Sequence, residues 1–281
     1  MNSYPTAIEF DQRAFPALGR VTHVTSEAPE SAVPVDLLEA VHAATESLVT
    51  AVDALHDSDI AEPSLLPGWT RGHLLAHLSR NADGLVNLLL WARTGIETPQ
   101  YASQLLRDSD IEAGAPRPLA EQLSDLRASA DRFLGLARAM PPQRWQHRVR
   151  ARTGKDLAAA VVPWLRLREL EIHRVDLNIG YRPADWPPAF VARMLPEVAA
   201  GFDHAASAHR PADAKPMTSD PDQPPPPSFT LVATDTDFTA KVGPDPSDTI
   251  SGPAAELLAW LIGRSEGVGL TGYLPNLPAW L

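Results

Sequence analysis

The segment TRGHLLAHLSRNADGLVNLLLWART, residues 70–94, decides how the rest of the chain reads. Thr70 is a good N-cap residue, because its hydroxyl accepts from a free N–H of the first helical turn. Gly95, directly after Thr94, is a stop signal. Between them Leu74, Leu78, Leu85, Leu88 and Leu89 recur at helical spacing, so the segment is one long helix with an apolar side. His73 and His77 stand one turn apart on it.

Similar patterns lie on both sides. Leu37, Leu38, Val41, Ala44, Leu48, Val52 and Leu55 step mostly by three and four and predict a preceding helix that ends by Asp57-Ser58 and Pro63. Leu119, Leu123, Leu126, Ala130, Phe133 and Ala137 predict a third helix, opened by Pro118 and closed by Pro141-Pro142. A fourth is expected over about residues 156–179, kinked at Pro163 and terminated at Gly180. Residues 96–117, broken by Pro99, Gly114 and Pro116, read as a long connection. The expected fold class is therefore mainly α, a four-helix bundle with a long crossover between helices 2 and 3.

The flanks differ in character. Residues 1–34 show no sustained periodicity and read as an irregular leader. A fifth helix over about 188–207 buries Phe190, Met194, Leu195, Val198 and Phe202 and completes a helical region spanning 35–207. Seven prolines then fall within 208–228, including the run Pro224–Pro227, which marks an extended linker. Residues 229–281 read as a small C-terminal αβ domain. Its expected parts are two strands (229–234 and 238–242), a tight turn at Asp235, and a helix with Gly252-Pro253 at its start. So short a piece lacks an independent core and should pack against helices.

Composition narrows function. With 281 residues, 44% of them hydrophobic, the chain can bury a sizeable core. Its 24 basic and 35 acidic residues give a net charge of −11, which argues against nucleic acid or an anionic membrane as partner. There is no Cys, so a disulfide framework, a thiolate zinc site, an iron–sulfur cluster and a cysteine nucleophile are excluded together. No basic and apolar targeting segment opens the chain and no run reaches the length of a membrane span, so a cytoplasmic protein is expected.

Metal chemistry would then fall to His and carboxylates. Besides His73 and His77, Glu169 and His173 share a face of the fourth helix at i,i+4. Leu74 occupies the place of the catalytic Glu in an HExxH motif, and paired Glu-x-x-His motifs of a di-iron bundle are absent. A mononuclear site remains, with one or two His from helix two and Glu169 and His173 from helix four. Spacing does not decide between that site and histidines satisfied within the core. Glu171, on another face, reads as a surface charge.

Several stretches resemble a known family. Residues 66–89 (LPGWTRGHLLAHLSRNADGLVNLL), 91–99 (WARTGIETP), 110–114 (DIEAG), 167–177 (LRELEIHRVDL), 180–187 (GYRPADWP) and 251–264 (SGPAAELLAWLIGR) are similar to mycothiol-dependent maleylpyruvate isomerases. The resemblance implies a DinB-like four-helix bundle holding one divalent metal, usually zinc, and a C-terminal αβ domain. It implies His77, Glu169 and His173 as ligands and Arg264 as a C-terminal arginine required for activity. His73 lies outside that triad as a supporting or solvated residue, and Asp176 reads either as the partner of the second N–H of His173 or as a surface carboxylate.

It further implies mycothiol, an actinobacterial thiol, as cofactor or co-substrate. A zinc-bound sulfur loses its proton and adds to the cis double bond of maleylpyruvate; rotation and elimination then give fumarylpyruvate. Arg264 would hold a substrate carboxylate and stabilise developing enolate charge. The expected partners are a small-molecule substrate and mycothiol, with the chain acting as a monomer. Two other readings stand beside this one: a mycothiol S-transferase or thiol-exchange enzyme, and a non-catalytic metal-binding regulatory module.

Overall fold

The computed structural model describes residues 33–208 and 227–277. The expected leader over 1–34 and proline-rich linker over 208–228 lie, but for their edge residues, outside the described residues. Two compact units divide the chain between Tyr181 and Arg182.

In the first unit the helices are α1 (Val35–Asp53), the short α2 (Asp57–Ile60), α3 (Arg71–Thr94), α4 (Gln104–Gly114), α5 (Leu119–Arg138) and α6 (Val162–Asp176). Four of them form the bundle: α1 and α3 each pack against both α5 and α6. Leu48 from α1, Leu78 from α3, Phe133 from α5 and Leu170 from α6 are buried in it. Each such side chain stabilises the fold by about 1.5–3 kcal/mol relative to exposure. Thr70 caps α3 as its sequence predicts, accepting from the His73 N–H at 3.4 Å, and Gly95 ends it at φ +78°. Asp125 on α5 receives Arg80 of α3 at 2.6 Å and Arg117 at 2.7 Å. These pairs are partly exposed and worth about 1 kcal/mol or less each.

The crossover is more ordered than its sequence suggests. Residues 96–117 contain α4, capped by Ser103, whose hydroxyl accepts from the Leu106 N–H at 3.1 Å. Small residues allow α4 to lie close on α3. A Cβ at Gly72 would sit 2.1 Å from the Ala115 carbonyl oxygen, and one at Gly114 would sit 2.8 Å from the Ala76 Cβ. The buried Gln122 amide joins the helices by donating to Gly114 O at 2.9 Å, Ala115 O at 3.1 Å and Gly72 O at 3.2 Å.

The fourth bundle helix is shorter than expected over 156–179. Asp156–Ala158 instead forms β2, antiparallel to β1 (Arg148–Arg150), with Val149 opposite Leu157. Pro163 does not kink the helix. It occupies the first turn of α6, where its missing N–H and fixed φ are tolerated.

The second unit begins before the expected boundary at residue 207. Its α7 (Pro188–Ala208) packs on α8 (Ala254–Leu261) and on β4 (Thr239–Val242), so this helix belongs with the C-terminal piece rather than with the bundle. The reason is complementarity: an apolar helix face covers a sheet and helix too small to close a core alone. The sheet has order β4-β3-β5, in which β3 (Phe229–Ala233) pairs antiparallel with β4 and parallel with β5 (Thr249–Gly252). Sequence reading finds the first two strands and misses the third, a four-residue segment with one large apolar side chain, Ile250. No described helix is long and apolar enough to cross a membrane.

Candidate metal centre

Arg71, the first residue of α3, sets the alignment of α3 with α6. Its guanidinium donates to the carbonyls of Leu177 at 2.9 Å and Asn178 at 3.1 Å, which follow the end of α6, and to Asp59 at 3.3 Å. A cation there also complements the negative end of the α6 dipole. One and a half turns into α3, His77 consequently faces α6.

There it meets Glu169 and His173. His77 Nε2 lies 2.9 Å and His173 Nε2 lies 3.3 Å from Glu169 Oε2. One potential ligand atom from each of the three residues falls within 4.8 Å of the others. Among the described residues, no other His or carboxylate joins this cluster. The two rings pack edge to face at 4.9 Å, and the Trp69 ring stands 5.6 Å from His77. His77 and His173 are buried, while the Glu169 side chain keeps 16% of its surface in contact with solvent.

The surroundings set the charge states. Burial pushes His77 down to about 4, against the smaller upward pull of Glu169. Burial would also lower His173, but hydrogen bonds to Asp176 and Glu169 outweigh it and hold that imidazole above its ordinary value. For Glu169 burial acts upward, yet bonds from His173 and His77 keep the carboxyl well below the usual range. A carboxylate flanked by two imidazole nitrogens is a donor set that suits a divalent cation of the zinc type. Asp176 strengthens the fit: its carboxylate oxygen lies 2.8 Å from His173 Nδ1, which leaves Nε2 as the ligating nitrogen.

These charge states have a pH consequence in the metal-free protein. His77 has a folded value below its unfolded one, so its contribution to stability is present above about 6.5 and is lost as pH falls toward 4. His173 acts with the opposite sign. Its contribution is present below about 6.5 and is lost as pH rises through its elevated folded value. In an NMR titration, the His77 C2–H resonance should remain that of a neutral ring at pH 5 while His173 titrates above 6.5. A single shared titration near 6.5 would contradict this environment.

The remaining predicted residues are placed differently. His73 is not in the cluster. Its Nδ1 accepts from the Thr70 N–H at 3.1 Å, its Nε2 lies 3.4 Å from Glu112, and its ring stacks on Trp69. Asp176 is the outer partner of His173. Arg264 is half-buried in the second unit just beyond α8, where its Nη1 donates to the Ile262 carbonyl at 2.8 Å. Glu171 corrects the sequence reading. It is buried at 3% exposure, accepts from the Tyr181 hydroxyl at 2.6 Å, and is raised by burial.

Two arginines escape sequence reasoning. Arg107 of α4 is 9% exposed and places Nη2 3.1 Å from His77 Nδ1. Arg166, one turn before Glu169 on α6, is fully buried and donates to Leu78 O at 2.7 Å and Asn81 Oδ1 at 3.0 Å. The signal in the sequence for Arg166 is a charge that follows the apolar run Val161–Leu165. For Arg107 the enclosing helix was itself unread.

Comparison with known proteins supplies the family. Residues 41–178 match the model of the mycothiol maleylpyruvate isomerase N-terminal domain, and residues 185–279 match that of the MDMPI C-terminal domain. The chain belongs to the mycothiol-dependent maleylpyruvate isomerase family. It is an enzyme of that family, with the same fold. A crystal structure of a mycothiol-dependent maleylpyruvate isomerase superposes with TM-score 0.77 at 25% identity, covering 88% of this chain and 97% of the other. A histidine-to-alanine variant of a mycothiol-dependent maleylpyruvate isomerase superposes with TM-score 0.76, at the same identity and coverage. No curated protein matches the sequence. The family boundary near residue 180 agrees with the division of the structure and again assigns α7 to the C-terminal domain.

Asp176 offers a direct test of the outer arrangement. Asp176→Asn keeps its shape and removes the charge that polarises His173. Zinc affinity, measured by competition with a chromophoric chelator, should fall about 10- to 100-fold. Unchanged affinity would remove Asp176 from the metal's support.

Proposed function

We propose that this enzyme uses mycothiol as a nucleophile to isomerise maleylpyruvate to fumarylpyruvate. His77, Glu169 and His173 would hold a zinc ion, and the chain acts as a cytoplasmic monomer. The observation that carries the reading is the convergence of those three side chains within 4.8 Å at the facing surfaces of α3 and α6. Family membership supports the thiol and the reaction. A divalent cation bound by these three residues would supply acidification of a thiol and orientation of its sulfur.

The chain's own residues do the rest. Asp176 takes the Nδ1 proton of His173 and leaves its Nε2 turned toward the cluster, and burial keeps the His77 ring uncharged at pH 7. The thiol, its proton given up to solvent, adds as the thiolate to the double-bond carbon β to the keto group, and the π electrons move onto the keto oxygen as an enolate. The former double bond rotates as a single bond. Collapse of the enolate then breaks the carbon–sulfur bond, expels the thiolate and leaves the trans product. Arg264 is assigned to the substrate carboxylate and the enolate charge, a task that suits a bidentate cation in a protein of net charge −11.

Zinc-loaded protein is incubated with mycothiol and maleylpyruvate, and loss of the cis enol absorbance is followed. Thiol-dependent loss supports the isomerase. No loss, with turnover of a mycothiol S-conjugate instead, assigns the same site to an S-transferase. Arg264→Ala should reduce kcat/KM while leaving zinc content unchanged.

A further inference from the structure

The two histidines of the cluster have opposite outer partners. His173 Nδ1 faces the Asp176 carboxylate, which accepts its proton and leaves Nε2 free to bind a cation. His77 Nδ1 faces Arg107 Nη2 at 3.1 Å. A guanidinium has only donors, so this nitrogen accepts, and the neutral His77 carries its proton on Nε2, where it donates to Glu169 at 2.9 Å. That is the wrong tautomer for a ligand. To bind a cation through Nε2, His77 must move its proton to Nδ1, and two N–H donors would then confront one another. Ligation by His77 and the Arg107–His77 bond exclude each other.

Arg107 is nevertheless tethered at the site. Its Nη1 is paired with Asp108 Oδ1 at 2.7 Å, and its guanidinium carbon lies 5.7 Å from the centre of the half-buried Tyr101 ring. Gly84 of α3 makes room for that ring: a Cβ there would come within 2.9 Å of it. Displaced from His77, Nη2 remains a cationic donor beside the cluster on a residue only 9% exposed, with the neutral Tyr101 hydroxyl as the acceptor nearby, and so buried a cation calls for a stronger one. The acceptor best matched to it is a carboxylate.

We infer that Arg107 is a metal-released carboxylate anchor: it bonds His77 in the metal-free protein and turns to a carboxylate of substrate or co-substrate once His77 becomes a ligand. The inference rests on the metal site proposed above. It adds that metal and carboxylate binding reinforce each other through this arginine, reciprocally and by roughly 5- to 150-fold if the coupling is of ordinary size.

Maleate, a cis dicarboxylate without the reactive keto group, serves as probe. Its binding is measured calorimetrically on chelator-treated and zinc-loaded protein, for the native chain and for Arg107→Met. Zinc affinity is measured by chelator competition without maleate. The native chain should bind maleate at least about fivefold more tightly when zinc-loaded. Arg107→Met should bind zinc as tightly as the native chain or more tightly and lose most of the maleate enhancement. Equal maleate enhancement in both proteins, or weaker zinc binding in the variant, overturns the inference and leaves the metal site standing. Failure of the native chain to bind zinc overturns both. Long-range 1H–15N spectra of the native chain give a second reading that needs no variant. Zinc should move the His77 proton from Nε2 to Nδ1, and maleate should then shift the Arg107 side-chain resonances. Arg107 resonances unmoved by maleate contradict the anchor.

Discussion

Glu169→Gln protein will fold, bind zinc far more weakly and lose turnover by about 10³-fold or more. Glu169 is the only formally negative member of the cluster, and its Oε2 is the atom on which both imidazole Nε2 atoms converge. Gln preserves shape and removes charge where positive charge accumulates: Arg107 lies against His77, and Arg166, lowered to about 10 by burial against the upward pull of Glu169, lies one turn away on α6. A cation that contributes several kcal/mol to charge stabilisation is worth at least three decades of rate at 1.36 kcal/mol each. Metal content after dialysis, chelator competition and the mycothiol-dependent assay together check the result. Retention of stoichiometric zinc and native turnover in this variant would exclude the assigned site.

The second large effect is on stability. Gly72→Val places a branched side chain where even a Cβ would lie 2.1 Å from the Ala115 carbonyl oxygen and 2.9 Å from the Ile60 side chain. The obstacle at Ala115 is backbone, which cannot rotate away. α4 must separate from α3, breaking the bonds of the Gln122 amide to Gly72, Gly114 and Ala115. The cost is about 3 kcal/mol, the upper range for overpacking. At roughly 2–4 °C per kcal/mol for a chain of this size, calorimetry should show a Tm lower by about 6–12 °C. Gly135→Ala in α5 is the contrasting control: a Cβ there meets nothing within 4 Å, and Ala in a helix interior should stabilise by about 0.5–1 kcal/mol. Equal melting temperatures for native and Gly72→Val proteins would refute the close approach of α3 and α4.

Residues whose fate is settled by neighbours in sequence are legible without a structure. Thr70 and Gly95 bound α3 because capping and a left-handed terminus are local properties. Glu169 and His173 share a face because helical spacing puts them there. α4 resists the same reading. Its apolar Leu105 and Leu106 are 76% and 54% exposed, whereas its buried positions are Arg107, Ile111 and Gly114. The pattern of hydrophobic residues therefore points away from the face that packs. Glu171 fails for a related reason: the helical face it occupies is covered by Tyr181, ten residues further on.

By itself the sequence determined the helical bundle, the caps of its long helices, the small αβ piece and the side chains available for a thiol-free metal site. All of these follow from periodicity, turn chemistry and the absence of Cys. Only the tertiary structure decided that α7 belongs to the C-terminal unit, that α4 closes on α3 through Gly72, and that His77 meets Glu169 across 92 positions of chain. It likewise decided that Arg107 reaches His77. Each of these depends on which surfaces meet, and that is set by side-chain volume and by buried donors seeking acceptors, not by spacing along the chain.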